Sequence, residues 1–158
     1  MRWLEPQQAI GCMSRLLVED YIWEALDDCL HSLQGIYRLF KRIDLGEVQA
    51  FGVVRSDGEL MGTVIGELTG SVFYGHFFMR RLRGADLRPI RDVLLATIRG
   101  RYVELGMEVT GFCGQVPETN RACQRLCRRL GAKDCGLGTA IFEHDGERVP
   151  CRDFYLEG

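Results

Sequence analysis

A single α/β domain spanning residues 1–158, with one mixed and mostly antiparallel sheet and helices on both faces, is what this sequence predicts. Three observations predict it. Asp57-Gly58 sits between two apolar runs, which is a strong hairpin signal because glycine accepts the positive φ of the turn. Residues 87–105 carry apolar side chains at 87, 90, 93, 94, 98, 102 and 105, one face of a helix. The strand, helix, strand order from Val72 to Val116 requires a right-handed parallel crossover.

The elements follow in order. From Leu16 to Leu33 the apolar residues Leu16, Leu17, Tyr21, Trp23, Leu26, Leu30 and Leu33 recur near a helical period, with Gly35 as the expected stop and a connector through Lys41 and Arg42. Strands are expected at 47–55, 60–68 and 72–79, separated by turns at Asp57-Gly58 and at Thr69-Gly70-Ser71. The 87–105 helix takes Asp86 as N-cap, Pro89 in its first turn and Gly106 as its end. A strand at 109–116 leads to Pro117, a helix runs from Glu118 or Thr119 to Leu130 with Gly131 as stop, and 138–144 pairs with 147–156 across Asp145-Gly146.

Composition bounds the function. Apolar residues make up 46% and charged residues 27%, ordinary globular usage, and the net charge of −2 gives no global pull toward nucleic acid or membrane. No run approaches eighteen apolar residues and the first residues form no apolar signal core, so a cytoplasmic protein is expected. Seven cysteines, none in a CxxC pair, point to a reducing compartment. Cys12, Cys29, Cys123 and Cys127 fall on apolar helical stripes. Cys123 and Cys127 lie one turn apart without a second close ligand pair, so no metal site is expected. His31 and His144 fall at expected surface positions and carry no signal, and the acidic face Asp20, Glu24, Asp27, Asp28 reads as a solvated helix face or as an attraction for a cationic acceptor. The arginines of the 121–129 helix lack interleaved aromatics, which argues against nucleic acid.

The chemistry concentrates after the third strand. There an Arg-rich, Gly-containing loop (Arg80, Arg81, Arg83, Gly84, Ala85) opens a helix that also carries Arg88. A helix N-terminus presents unpaired N–H groups and a positive dipole end, so this junction suits a pyrophosphate. Downstream, Asn120 to Ala132 reads NRACQRLCRRLGA. This stretch resembles the N-x-x-A-x-x-L-Y-x-x-x-G-F helix of the GNAT (Gcn5-related N-acetyltransferase) superfamily, with Asn120, Leu126, Leu130 and Gly131 in register. The element order from Leu16 onward is also the GNAT order, and the run from Asp57-Gly58 through His76 is most similar to phage- and prophage-associated members.

The resemblance implies a GNAT-like fold and an acyl-CoA-dependent N-acyltransferase, with acetyl-CoA as co-substrate. Two neighbouring parallel strands, 72–79 and 109–116, would splay to admit the pantetheine arm. Arg81, Arg83, Gly84 and Ala85 would cradle the pyrophosphate, Phe78 and Met79 would line the pantetheine, and Asn120 would order the cofactor or its helix. His76, or Glu67 as a partly desolvated carboxylate, would remove the amine proton. Cys127 stands where the family has the tyrosine that protonates the leaving thiolate, and Asp86 occupies a position normally small. The acceptor would be a small-molecule or protein amine, and the final hairpin is free to pair with a second copy. The alternative is a catalytically degenerate GNAT-fold module that binds a ligand or a protein.

Overall fold

The computed structural model describes residues 2–19, 27–55, 57–80 and 87–158, the side chains of Cys29 and of residues 87–90 excepted. Seven strands form one sheet in the order β1-β2-β3-β4-β5-β7-β6. They are β1 (Arg2–Trp3), β2 (Gln49–Val54), β3 (Leu60–Thr69), β4 (Val72–Met79), β5 (Gly111–Pro117), β6 (Lys133–His144) and β7 (Glu147–Glu157). Every pairing is antiparallel except β4 with β5. The helices are α1 (Pro6–Leu16), α2 (Leu33–Asp44), α3 (Leu87–Glu104) and α4 (Arg121–Arg129), with a 3₁₀ turn at Asp28–Leu30. No described helix is long and apolar enough to cross a membrane.

The expected meander, crossover and final hairpin are all present. Gly58 takes φ +89°, and Asp145 and Gly146 take φ +50° and +75°, the left-handed pair that a tight two-residue hairpin turn needs. Strand limits move by a few residues, and β6 starts at Lys133 rather than 138 because a bulged stretch from Asp134 to Ile141 still pairs with β7.

The N-terminal third corrects the sequence expectation. A helix over 16–33 is not formed by the described residues: α1 ends at Leu16, and Leu33 begins α2. Residues 20–26, with Tyr21, Trp23 and Leu26 of the expected stripe, lie outside the described residues. Pro6 starts α1, where its fixed φ suits a first turn and its missing N–H costs nothing. Ser32 caps α2 by accepting from Gly35 N at 3.0 Å, so Gly35 stands inside the first turn and Lys41 and Arg42 in the last. The stripe that seats α2 is Ile36, Leu39, Phe40 and Ile43, a helical i, i+3, i+4, i+7 set.

Two cores flank the sheet. On one face Ala9, Met13 and Leu16 of α1 and Ile43 of α2 pack against Ala50, Ile65 and Phe78. On the other, Leu94, Leu95, Ile98 and Tyr102 of α3 pack against Phe51, Val64, Phe73 and Phe112. A small third cluster, Val116, Cys127 and Phe154, holds α4 beside the end of β5. Strand alternation therefore assigns faces: Tyr74, His76 and Phe78 of β4 look toward α1 and α2, and Phe73 looks toward α3.

Removing the cap tests the reassigned helix. Ser32→Ala should cost about 1 kcal/mol and lower Tm by about 2–4 °C in a thermal melt. A melt unchanged by this substitution would return Ser32 to an uncapped connector.

Candidate functional site: a fork between two parallel strands

The site begins with a missing stretch of ladder. β4 and β5 pair from Val72↔Gly111 to Gly75↔Gly114, and there the pairing stops. Both strands continue. His76 to Met79 remain paired with β3, and Gln115 to Pro117 remain paired with β7. The two strands therefore diverge while each is still gripped on its outer side, which makes the opening a fixed feature of the sheet.

The registers show which backbone groups face this opening. Arg80 N donates to Met61 O at 2.8 Å, so the antiparallel alternation turns the backbone groups of His76 and Phe78 toward β3 and those of Phe77 and Met79 toward the opening. On β5, Glu118 N donates to Pro150 O and Gly158 N to Thr110 O, which by the same alternation turns Gln115 toward β4. Strand-interior amides without a ladder partner are costly to leave unmet, so the opening is a ready hydrogen-bonding slot for an extended ligand. Its apex is formed by Gly75 and Gly114, and a Cβ at Gly114 would meet nothing within 4 Å.

The far wall is held by a residue that sequence reasoning missed. Gln124 of α4 is fully buried, and its Nε2 donates to Pro117 O (3.3 Å) and Glu118 O (2.8 Å). Asn120 N also donates to Pro117 O, and Asn120 Oδ1 accepts from Cys123 N at 3.0 Å as the N-cap of α4. These bonds satisfy carbonyls at the point where β5 leaves the sheet. The only sequence signal was a glutamine on the inner stripe beside Cys123 and Cys127, where an apolar residue belongs.

On the α1–α2 face, His76 (β4) and Glu67 (β3) stand diagonally across the β3–β4 ladder, since Ile65 pairs with His76 and Glu67 with Tyr74. His76 is open to solvent, but the protein around it displaces much of its hydration. That desolvation is the first cause of a pKa below the ordinary histidine value; Glu67 raises it, Arg42 lowers it and Asp27 raises it. Glu67 is exposed rather than partly desolvated, and it accepts from Arg42 Nη2 at 2.7 Å.

The remaining sequence candidates divide. Phe78 is buried in the α1 core, and Met79 packs against the α3 core. Their side chains are thus spent on packing, and it is the backbone of Met79, with that of Phe77, that borders the opening. Cys127 is buried, and its free thiol shares a hydrogen bond with that of Cys123 one turn earlier. That bond, and then burial, hold the Cys127 thiol well above the usual cysteine range, while the same bond lowers Cys123. Cys113, on the paired part of β5, is pushed up to about 11 by burial first, then by Asp153 and Cys135. Arg81, Arg83, Gly84, Ala85 and Asp86 lie outside the described residues, as does the side chain of Arg88. Arg80, read as a phosphate charge, is instead tied to Glu19 Oε1 (2.7 Å), Glu59 Oε1 (3.2 Å) and Leu60 O (3.0 Å).

Gln124→Ala should cost about 2 kcal/mol, since it strips a buried carbonyl of its donor, and lower Tm by about 4–8 °C. An unchanged melt would show that the β5 terminus is held by other bonds.

No protein-family model and no curated protein sequence matches the chain. Solved structures do. A chimeric spermidine N-acetyltransferase built from Vibrio cholerae SpeG and hSSAT superposes with a TM-score of 0.63 at 16% identity, covering 99% of this chain and 94% of that one. An acetyltransferase from Salmonella typhimurium that modifies the N-terminal serine of ribosomal protein L7/L12 gives 0.70 at 12% identity, covering 99% and 93%. RimL, an L7/L12 α-N-protein acetyltransferase in complex with coenzyme A and carrying a coenzyme A–cysteine disulfide, gives 0.71 at 11%, covering 99% and 92%. The chain therefore has the GNAT acetyltransferase fold over nearly its whole length.

Proposed function

We propose that this chain transfers an acetyl group from acetyl-CoA to an amine. The observation that carries the reading is the fork: a slot between β4 and β5, bordered by the unpaired backbone groups of Phe77 and Met79 and by the carbonyl of Gln115, and left open beside Gly114. An amide-bearing chain of pantetheine length suits such a slot, because it would supply the ladder bonds that the diverging strands lack. The start of α3, preceded by Arg81, Arg83, Gly84 and Ala85, suits the pyrophosphate. Acetyl-CoA, when bound, supplies an activated thioester carbonyl.

The chain's own residues then have three tasks. The backbone of the fork would hold and orient the donor. His76, kept neutral near pH 7 by its lowered pKa, would accept a proton from the acceptor ammonium, leaving a nucleophilic amine. Glu67, held by Arg42, would stabilise the imidazolium that results. As the C–N bond forms and the C–S bond breaks, the nitrogen sheds its second proton and the leaving thiolate gains one, so the two transfers balance. Cys127 occupies the family's donor position, but its bond to Cys123 and its raised pKa make it a reluctant acid. Spermidine and a peptide with N-terminal serine, the acceptors named for the structural neighbours, head the amine panel to be tested. The state of Cys127 also favours a second reading, a binding module without turnover.

Calorimetry and steady-state transfer test this reading. Acetyl-CoA should bind and raise Tm by mass action. Gly114→Val adds a side chain where the described residues leave space, so the free variant should melt within about 2 °C of wild type, yet the acetyl-CoA shift should vanish. Binding that survives this substitution would remove the donor from the fork. Binding without transfer to any amine would favour the second reading.

The pH profile tests His76. A base must be deprotonated, so kcat/KM should rise with pH along a limb centred below 6.5 and be flat by neutrality. His76→Ala should lower kcat by about 10²-fold and erase that limb. A limb that persists in the variant would assign the base elsewhere.

A further inference from the structure

We propose that the 3₁₀ turn and the tip of the β6–β7 hairpin together form a binding site for a divalent transition-metal ion of the zinc, cobalt and nickel class. Its ligands are Asp28, His144 and Asp145, with His31 beside them. Asp28, His144 and Asp145 each offer one ligand atom, and these atoms lie within 4.8 Å of one another. His31 stands next to the set: its Nδ1 is 3.6 Å from Asp28 Oδ1, and its ring centroid is 6.0 Å from that of His144. The four residues come from segments more than a hundred residues apart in sequence, so no local motif announces them. His31 and His144, expected at the surface, are half-buried, and Asp27 and Asp28 accept from backbone amides of the hairpin instead of lying on a solvated helix face.

Three features make this more than a chance meeting of polar side chains. First, Asp28 is fixed. Its Oδ1 accepts from Asp145 N (2.9 Å) and its Oδ2 from Gly146 N (2.8 Å), and each carboxylate oxygen keeps a second lone pair. Second, the charge is uncompensated. Among the described residues, the ion-pair partners of Asp28 and Asp145 within 4.0 Å are the two histidines, and the nearby Arg148 is paired with Glu143. Two carboxylates converging on two imidazoles without a fixed cation make a favourable place for a dication. Third, the donor set is selective. Imidazole with carboxylate suits zinc, cobalt, nickel or copper(II) rather than calcium or magnesium, which prefer oxygen alone. Asp145 is 86% exposed, so water can complete the coordination.

The ion would reach further than its ligands. It would pin the 3₁₀ turn to the hairpin and so fix Asp27, whose Oδ2 accepts from Glu143 N at 2.9 Å and whose charge is felt at His76. Metal binding would then order the α1–α2 side of the sheet beside His76. The inference does not rest on acetyl transfer, and its test reads binding directly.

The full chain, stripped with a chelator, is titrated with zinc chloride and melted. For a Kd near 1 μM, about 100 μM zinc should raise Tm by about 5–10 °C. His144→Gln and Asp145→Asn, both away from the packed cores, should each cut that shift by half or more while leaving the metal-free melt within about 2 °C. Cobalt(II) should give visible d–d bands without the near-ultraviolet thiolate charge-transfer band. No shift at 100 μM zinc, a shift retained in His144→Gln and Asp145→Asn, or a thiolate band pointing to Cys123 and Cys127 would each overturn the site.

Discussion

The structure turns on two strands that stop pairing with each other while each stays paired with a neighbour. β4 cannot close on β5 beyond Gly75 because β3 holds it through Met79, and β5 cannot follow β4 because β7 holds it through Pro117. A parallel ladder is the weaker kind of pairing, and here it is flanked by two antiparallel ones, so it is the one that gives way to twist. What would be a defect in an ordinary sheet becomes a slot with rigid walls. Gly114 leaves its apex open, and Gln124 and Asn120 complete the hydrogen bonds at its far end.

Chemistry gathers around that slot unevenly. The α1–α2 face carries His76, whose pKa desolvation holds below the ordinary histidine value, and the Arg42–Glu67 pair beside it. The α4 side carries the thiols. The bond between Cys123 and Cys127 draws one down and the other up, and Cys113 is kept protonated by burial. With Cys113 held as a thiol, direct attack by an amine is a simpler route than a cysteine-bound intermediate at that position.

Much of the architecture was legible because it is local. Asp57-Gly58 and Asp145-Gly146 announce their turns in two residues each, and the α3 stripe is one uninterrupted helix face ended by Gly106. The N-terminal third misled because Leu16, which ends α1, Leu30 of the 3₁₀ turn and Leu33, which opens α2, belong to separate elements yet fall on one apparent period, and the Ser32 cap was overlooked. The site was legible only in outline. The Asn120 helix carried the resemblance, which had Phe78 and Met79 line the pantetheine; strand alternation sends the Phe78 side chain into the α1 core and leaves the Met79 backbone at the opening. Gln124 and the His31–His144 cluster were invisible because their meaning is set by distant partners: the end of β5 for one, and opposite ends of the chain for the other.

Amide hydrogen exchange at single-residue resolution is the most direct measurement of the fork. In the free protein the amides of Phe77 and Met79 should exchange much faster than those of Phe73 and Gly75 on the paired part of β4, and acetyl-CoA should slow both. Equal protection along the whole of β4 and β5 in the free protein, or no slowing at these amides at saturating acetyl-CoA, would contradict the account.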